Sequence, residues 1–185
     1  MKLHIGSGDK RFEGFLNIDY DQNCNPDFCL DVEKENLPIE DNTVDEIIAH
    51  HVFEHLGEGY FHVLQEIYRV CKHGAMIDIV VPHHRHEYFA NDPTHRRAIT
   101  PDGLWLFSKK YNDECIKQNA AASRLGHYFK VDFEVVDVQN IPDPRYIPVF
   151  TGKPVEEVEK YMHEHNNIIM EVHIKLVVIK EYSGI

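Results

Sequence analysis

The stretch from Lys2 to Asp19 constrains the chain most. It opens on the apolar Leu3-His4-Ile5, turns on Gly6-Ser7-Gly8 and returns through Phe15-Leu16-Asn17-Ile18 to Asp19. A glycine turn at the end of a strand lets a ligand approach backbone that side chains would otherwise shield. An acid at the tip of the next strand can accept hydrogen bonds from two neighbouring ribose hydroxyls. Strand, turn, strand and acid in this order describe a nucleoside site at the edge of a parallel sheet, although two glycines alone also occur in ordinary tight turns.

Spacing narrows the ligand. Asp19 follows Gly8 by eleven positions, whereas a dinucleotide fold sets its acid about 20 residues on, after a full helix. Arg11 stands where a third glycine would be. Little room remains for a helix whose N-terminus could hold a pyrophosphate, so the pattern favours a nucleoside without a diphosphate. A tight loop of any α/β sheet is the plainer alternative.

Composition sets the outer bounds. A chain of 185 residues, 43% apolar and 27% charged, is an ordinary globular chain of a length suited to one domain. Its formal charge of −12 repels phosphate and argues against duplex nucleic acid as a partner. No run approaches the roughly 18 apolar residues of a membrane span, and the chain enters a strand at once, without a signal-like segment. Cys24, Cys29, Cys71 and Cys115 show no C-x-x-C pair, which favours reduced thiols in a cytoplasmic setting over a zinc ribbon.

Along the chain, the spacing predicts a short strand at Phe28-Cys29-Leu30 ending in Asp31, and another over Val44 to Ala49 with His50 and His51 at its carboxyl end. Ligands of open α/β sheets sit beyond such ends. Phe61, Leu64, Ile67, Tyr68 and Cys71 recur at helical steps, predicting a helix that runs to about Lys72 and is closed by His73-Gly74. A strand over Met76 to Val81 follows, ended by Pro82. His83 to Ala98 then collects four histidines, three arginines, Glu87 and Asp92, the composition of a substrate loop. Thr100 and Pro101 read as the N-cap and first turn of a helix. A helix over Asp113 to Arg124, a strand over Phe129 to Ile141, a rigid link at Pro142, Pro144 and Pro148, a helix over Val155 to His165 and a strand over Ile168 to Lys180 complete the reading. No internal repeat or low-complexity tract is present.

These pieces in order, Leu3-His4-Ile5-Gly6-Ser7-Gly8, Asn17-Ile18-Asp19, Leu37-Pro38 to Val44-Asp45, Phe53-Glu54-His55-Leu56, Arg69 to Gly74 and Ile79 to Pro82, resemble class I S-adenosylmethionine-dependent methyltransferases. The likeness is to the small subgroup whose first crossover helix is cut short. It covers Lys2 to Pro82 well and the rest in outline. It implies a mostly parallel seven-stranded Rossmann-like sheet with an antiparallel last strand and helices on both faces. It also implies S-adenosylmethionine as cofactor, with Gly6, Ser7 and Gly8 lining its methionine part, Asp19 on the ribose, Asp31 near the adenine, and His50 and His51 flanking the sulfonium. The chain departs from the family at Lys10, where a third glycine is common, and at Lys72-His73-Gly74-Ala75, where Lys-Pro-Gly-Gly is usual.

Methyl transfer is an in-line displacement in which positioning can supply roughly 7–11 kcal/mol. An oxygen or nitrogen acceptor also has a proton to lose, and imidazole suits that near neutral pH. His51 and His84 are the candidate catalytic residues by their strand-end positions, and His83, His86, His95, Arg96 and Arg97 are candidate substrate contacts. Each of these histidines could instead be an ordinary hydrogen-bonded or surface residue. Arg85, Lys109 and Lys110 extend the basic group, which could receive an anionic substrate or pair with the chain's own acids. His83, His84 and His86 include ligand types for a metal, but neighbours in an extended segment point to opposite sides, so no metal is assigned.

The reading is thus one domain over 1–185, with 83–128 as a substrate-side insertion or lid. The expected reaction is methyl transfer to a small or glycan-like polar acceptor, anionic in one version, without membrane or duplex partners; a homo-oligomer stays open. The alternatives are a non-catalytic S-adenosylmethionine-binding regulatory module and, behind it, a nucleotide-sugar or dinucleotide binder.

Overall fold

Alternation of apolar and polar residues makes the sheet. In the computed structural model, which describes residues 1–181, the strands are β1 (Lys2–Ile5), β2 (Leu16–Asp19), β3 (Phe28–Cys29), β4 (Val44–His50), β5 (Cys71–Pro82), β6 (Phe133–Pro142) and β7 (Ile169–Val178). Residues 182–185 of the expected domain lie outside the described residues. The order is β3-β2-β1-β4-β5-β7-β6. β3, β2, β1, β4 and β5 run parallel, and β7 is antiparallel to both of its neighbours. The mostly parallel seven-stranded sheet with an antiparallel last strand, expected from the sequence, is therefore present.

One side of this sheet carries the core. Leu3, Ile5, Ile18, Ile47, Ala49, Ile77, Ile79, Ile174 and Leu176 are all buried, each at an every-second-residue position of its strand. Helix α1 (Tyr60–Val70) lays Tyr60, Val63, Leu64, Ile67 and Val70 into that core. Phe61 and Tyr68 pack against its edge, as do Trp105 and Phe129. The remaining helices are α2 (Glu87–Asn91), α3 (Pro101–Trp105), α4 (Lys109–Lys117), α5 (Leu125–Tyr128), α6 (Ile147–Phe150) and α7 (Val155–Glu164).

Several boundaries differ from expectation. α1 stops at Val70 because Cys71 is already extended and pairs with Val44. Residues 72–75 then bulge before Met76 takes up the register opposite Glu46, so Gly74, at φ 78°, serves a strand irregularity and not a helix cap. The helix expected over Asp113 to Arg124 begins earlier and ends at Lys117, its N-terminus set by Ser108, whose hydroxyl accepts from Tyr111 N. Thr100 caps α3 as expected, accepting from Gly103 N.

A latch fixes the approach to β4. Arg69 Nη1 donates to Ile39 O at 2.8 Å and its Nη2 to Leu37 O at 2.9 Å, while Nε and Nη2 grip Glu66 at 2.8 and 2.7 Å. Glu66 also accepts from Leu37 N at 2.8 Å. Removing the guanidinium leaves the buried Glu66 carboxylate with only Leu37 N as partner and strips the Ile39 and Leu37 carbonyls of its hydrogen bonds, so Arg69→Ala should destabilise the protein by about 2–4 kcal/mol in denaturant unfolding. The Arg69 hydrogen bonds pull the Glu66 carboxyl below its ordinary pKa. The latch therefore contributes fully above the unfolded carboxyl value, about 4.3, and fades as pH falls below it. The stability loss between pH 5 and pH 3 should be shallower in the variant.

Candidate cofactor and acceptor site

The strand order reverses between β1 and β4, and the crevice beyond their carboxyl ends is where an α/β sheet offers a site. Gly6 leaves β1 at φ +63°, a left-handed conformation. A Cβ there would stand 2.3 Å from Val52 Cγ2, so glycine is required twice over. Gly8 is also left-handed, at φ +49°, and a Cβ on it would meet nothing within 4 Å: the turn is a cradle open to a ligand. Asp19, 8% exposed at the end of β2, accepts from Gly8 N at 2.7 Å through Oδ2 and from Asp21 N at 2.9 Å through Oδ1. A carboxylate oxygen has two lone pairs, so both oxygens keep acceptor capacity for a diol. These residues fit the nucleoside that the sequence suggests.

No helix braces this turn; Arg11 does. Its guanidinium donates to Gly8 O and Asn25 O, both at 2.9 Å, and to Cys24 O. Asp31 lies just past β3, with Oδ2 on Lys34 Nζ at 2.6 Å and Oδ1 on Glu33 N at 3.0 Å. Its carboxyl is held below the usual range by the Lys34 hydrogen bond first. Glu33 in turn accepts from Gly57 N and Gly59 N at 2.6 and 3.0 Å, tying the loop after β3 to the start of α1.

Across the crevice, β4 ends in His50 and His51 follows it. Burial lowers the His50 pKa despite Asp78, whose Oδ1 is 3.7 Å from Nε2. Phe12 stands edge-on to both His50 and His4, with ring centroids at 6.2 and 4.9 Å, a contact that no spacing rule in the sequence revealed. His51 turns the chain at φ +56°. Its ring lies between two acids, with Nδ1 3.3 Å from Glu54 Oε1 and Nε2 3.3 Å from Glu171 Oε1, and the adjacent Glu54 carboxylate raises its pKa against the effect of burial.

The loop after β5 sorts the remaining candidates. His84 is exposed and its ring lies against that of His83, centroids 4.4 Å apart. Burial, then the neighbouring His84 and Arg85, push His83 down to about 4. His86 is committed inside the fold. Its side chain is 0% exposed, Nδ1 caps α2 by accepting from Tyr88 N, and Nε2 meets Asp143 at 3.1 Å. Arg97 is committed likewise: it donates to Leu56 O at 2.9 Å and Gly57 O at 2.5 Å and covers the Tyr60 ring at 4.1 Å. Arg96 is exposed and remains the cation of this loop with no side-chain bond of its own among the described residues. His95 faces His55, centroids 4.6 Å apart. Arg85 spends its side chain on Asn166 and His163 O.

Comparison with known proteins agrees with this architecture. Residues 14–93 match the family model described as a methyltransferase domain, a match that starts just after the glycine turn. Among solved structures, the chain is similar to an S-adenosylmethionine-dependent methyltransferase from Archaeoglobus fulgidus, at 19% identity and TM-score 0.61 over 95% of this chain and 85% of that one. It is similar to a chain of the complex between the Haloferax volcanii Trm112 methyltransferase activator and its candidate methyltransferase, at 17% identity and TM-score 0.60 over 99% and 83%. An S-adenosylmethionine-dependent methyltransferase from Mesorhizobium loti follows at 11% identity and TM-score 0.53 over 95% and 90%. No curated protein sequence matches. The double constraint on Gly6 makes a direct test: Gly6→Ala should weaken S-adenosylhomocysteine binding at least tenfold by calorimetric titration, with the protein still folded by circular dichroism.

Proposed function

Taking the chain as a class I S-adenosylmethionine-dependent methyltransferase, we propose that it moves the methyl group to a small or glycan-like polar acceptor, anionic in the version we favour, that enters under the loop at 83–97. The observation that carries the reading is Asp19. Its carboxylate at the end of β2, bonded to the N–H of an open Gly6-Ser7-Gly8 turn, is a ribose holder beside a methionine cradle. Bound S-adenosylmethionine supplies an electrophilic methyl group on a sulfonium; the chain's own residues place it and receive the acceptor.

In this reading Gly6, Ser7 and Gly8 contact the methionine part, Asp19 the ribose and Asp31 the adenine side, with His50 and His51 flanking the sulfonium. His51, pinned between Glu54 and Glu171, marks the acceptor side of the crevice. His84, exposed and free of hydrogen bonds among the described residues, is the side chain proposed to take the acceptor's proton. Arg96 is the cation proposed to receive an anionic group on the acceptor; His83 and His95 lie on the same loop. His86 and Arg97, whose polar atoms serve the fold, support the loop and need not meet substrate. Residues 83–128 would then act as the substrate-side insertion of one domain. The four cysteines are free thiols, which suits the proposed cytoplasmic location, and no helix among the described residues is long and apolar enough to cross a membrane.

The first test is calorimetric titration with S-adenosylhomocysteine. Saturable binding should weaken at least tenfold, about 1.4 kcal/mol, in Asp19→Ala. Folded wild-type protein that binds none would overturn the reading, and binding of NAD or a nucleotide sugar in its place would favour the third reading, a nucleotide-sugar or dinucleotide binder. Once an acceptor turns over, His84→Ala should lower kcat by about 10²-fold or more with cofactor binding intact, and Arg96→Ala should raise KM for anionic acceptors at least tenfold. Unchanged kcat in His84→Ala would remove His84 as the proton acceptor, and saturable S-adenosylhomocysteine binding with no acceptor turned over would favour the non-catalytic binding module.

A further inference from the structure

Glu54 has no adequate partner. Its side chain is 1% exposed, it sits in the turn after β4 between the buried Phe53 and Leu56, and neither carboxylate oxygen accepts a hydrogen bond. The nearest imidazole, His51, has Nδ1 3.3 Å from Oε1 and is shared with Glu171. Arg97, whose own backbone N–H donates to Glu54 O at 3.3 Å, spends its guanidinium on Leu56 O and Gly57 O. A buried carboxylate left in this condition is costly unless a cation completes it.

Two imidazoles face that carboxylate. One ligand atom each from Glu54, His55 and His95 lies within 4.8 Å of the other two. The hydrogen bonds assign the tautomers. His95 Nδ1 donates to Phe89 O at 2.8 Å, leaving Nε2 with its lone pair. His55 Nδ1 pairs with Thr94 Oγ1 at 2.9 Å, and that hydroxyl gives its own proton to Asp92 Oδ1 at 2.6 Å. The hydroxyl is thus the acceptor, and His55 also keeps its Nε2 lone pair. A partner on the far ring nitrogen is how protein sites orient imidazole toward a metal. The loop is already seated, since Arg96 N donates to Glu54 O at 2.7 Å.

From this geometry we propose that Glu54, His55 and His95 bind a divalent transition ion of the zinc type. Two imidazole nitrogens and one carboxylate oxygen form a three-ligand set for zinc, with a fourth position open. Tetrahedral binding would bring the ligand atoms to roughly 3.4 Å of one another, closer than the 4.8 Å within which they lie here. Asp92 Oδ2, 3.9 Å from His95 Nε2, is within reach of the open position. The ion would clamp the loop after α2 onto the turn after β4. This inference does not depend on the methyltransferase reading: it concerns a site whose binding is measured without cofactor or acceptor.

The test uses the full chain, stripped with EDTA and titrated with Zn²⁺, and with Co²⁺ for its visible d–d bands. One ion per chain is expected, with tetrahedral-type Co²⁺ absorption. Affinity should fall at least tenfold in Glu54→Gln, and likewise in His55→Gln, which alters a partly exposed side chain and guards against a folding artefact; circular dichroism confirms the fold of each. His84→Ala should bind as wild type. Absence of Zn²⁺ binding to folded, stripped protein would overturn the proposal, as would undiminished binding in both folded variants or a loss confined to His84→Ala, which would move the site to the 83–86 histidines.

Discussion

Two backbone N–H groups, from Gly8 and Asp21, hold the Asp19 carboxylate, and the crevice depends on that arrangement. The bond to Gly8 closes the turn leaving β1 against the end of β2. The bond to Asp21 starts the return toward β3. Because β1 lies between β2 and β4, closing this turn also sets how near the Gly6 backbone comes to Val52, and hence where β4 delivers His50 and His51. A short carboxylate here does what a crossover helix does in longer α/β folds, and Arg11 satisfies the carbonyls that such a helix would have covered.

Polar residues do comparable structural duty elsewhere. Glu33 receives the two glycine N–H groups before α1, Arg69 ties the chain entering β4 to α1, and His86 joins α2 to Asp143 after β6. Arg145 lowers the Asp143 pKa and keeps that acid charged opposite His86. In each case a charged group satisfies backbone or a buried partner, the condition under which burial of charge is tolerated. Glu54 breaks this pattern, which is why it stands out.

Much of this was legible in the sequence. Period-two alternation located the two C-terminal strands, where burial on one face leaves register little freedom, and apolar runs bounded by turn residues located the strands at Val44 and Met76; Gly6, Gly8 and Asp19 announced the crevice through chemistry that few other residues can perform. The remainder turned on contacts between distant segments. Cys71 reads as helix by spacing and becomes strand because Val44 is there to pair with it. His86 and His84 are equivalent in a histidine-rich loop, and only Asp143, far along the chain, makes one internal and leaves the other free. Arg11 looked like the loss of a glycine and proved to be the brace of the turn. The Glu54 cluster had one local sign, an acid flanked by Phe53 and Leu56, but its histidine partner His95 comes from another loop.

The position of β7 has a consequence for how the chain comes into being. It pairs on both sides, with β5 and with β6, yet it is made after both. Until it emerges from the ribosome, β5 and β6 each present an unpaired edge, and the buried faces of Ile77, Ile79, Phe133 and Val135 have no strand between them. The nascent protein therefore passes through a stage in which most of its sheet is synthesised but cannot close. Open edges of this kind recruit other chains, so the interval before the last strand arrives is when this protein most needs protection.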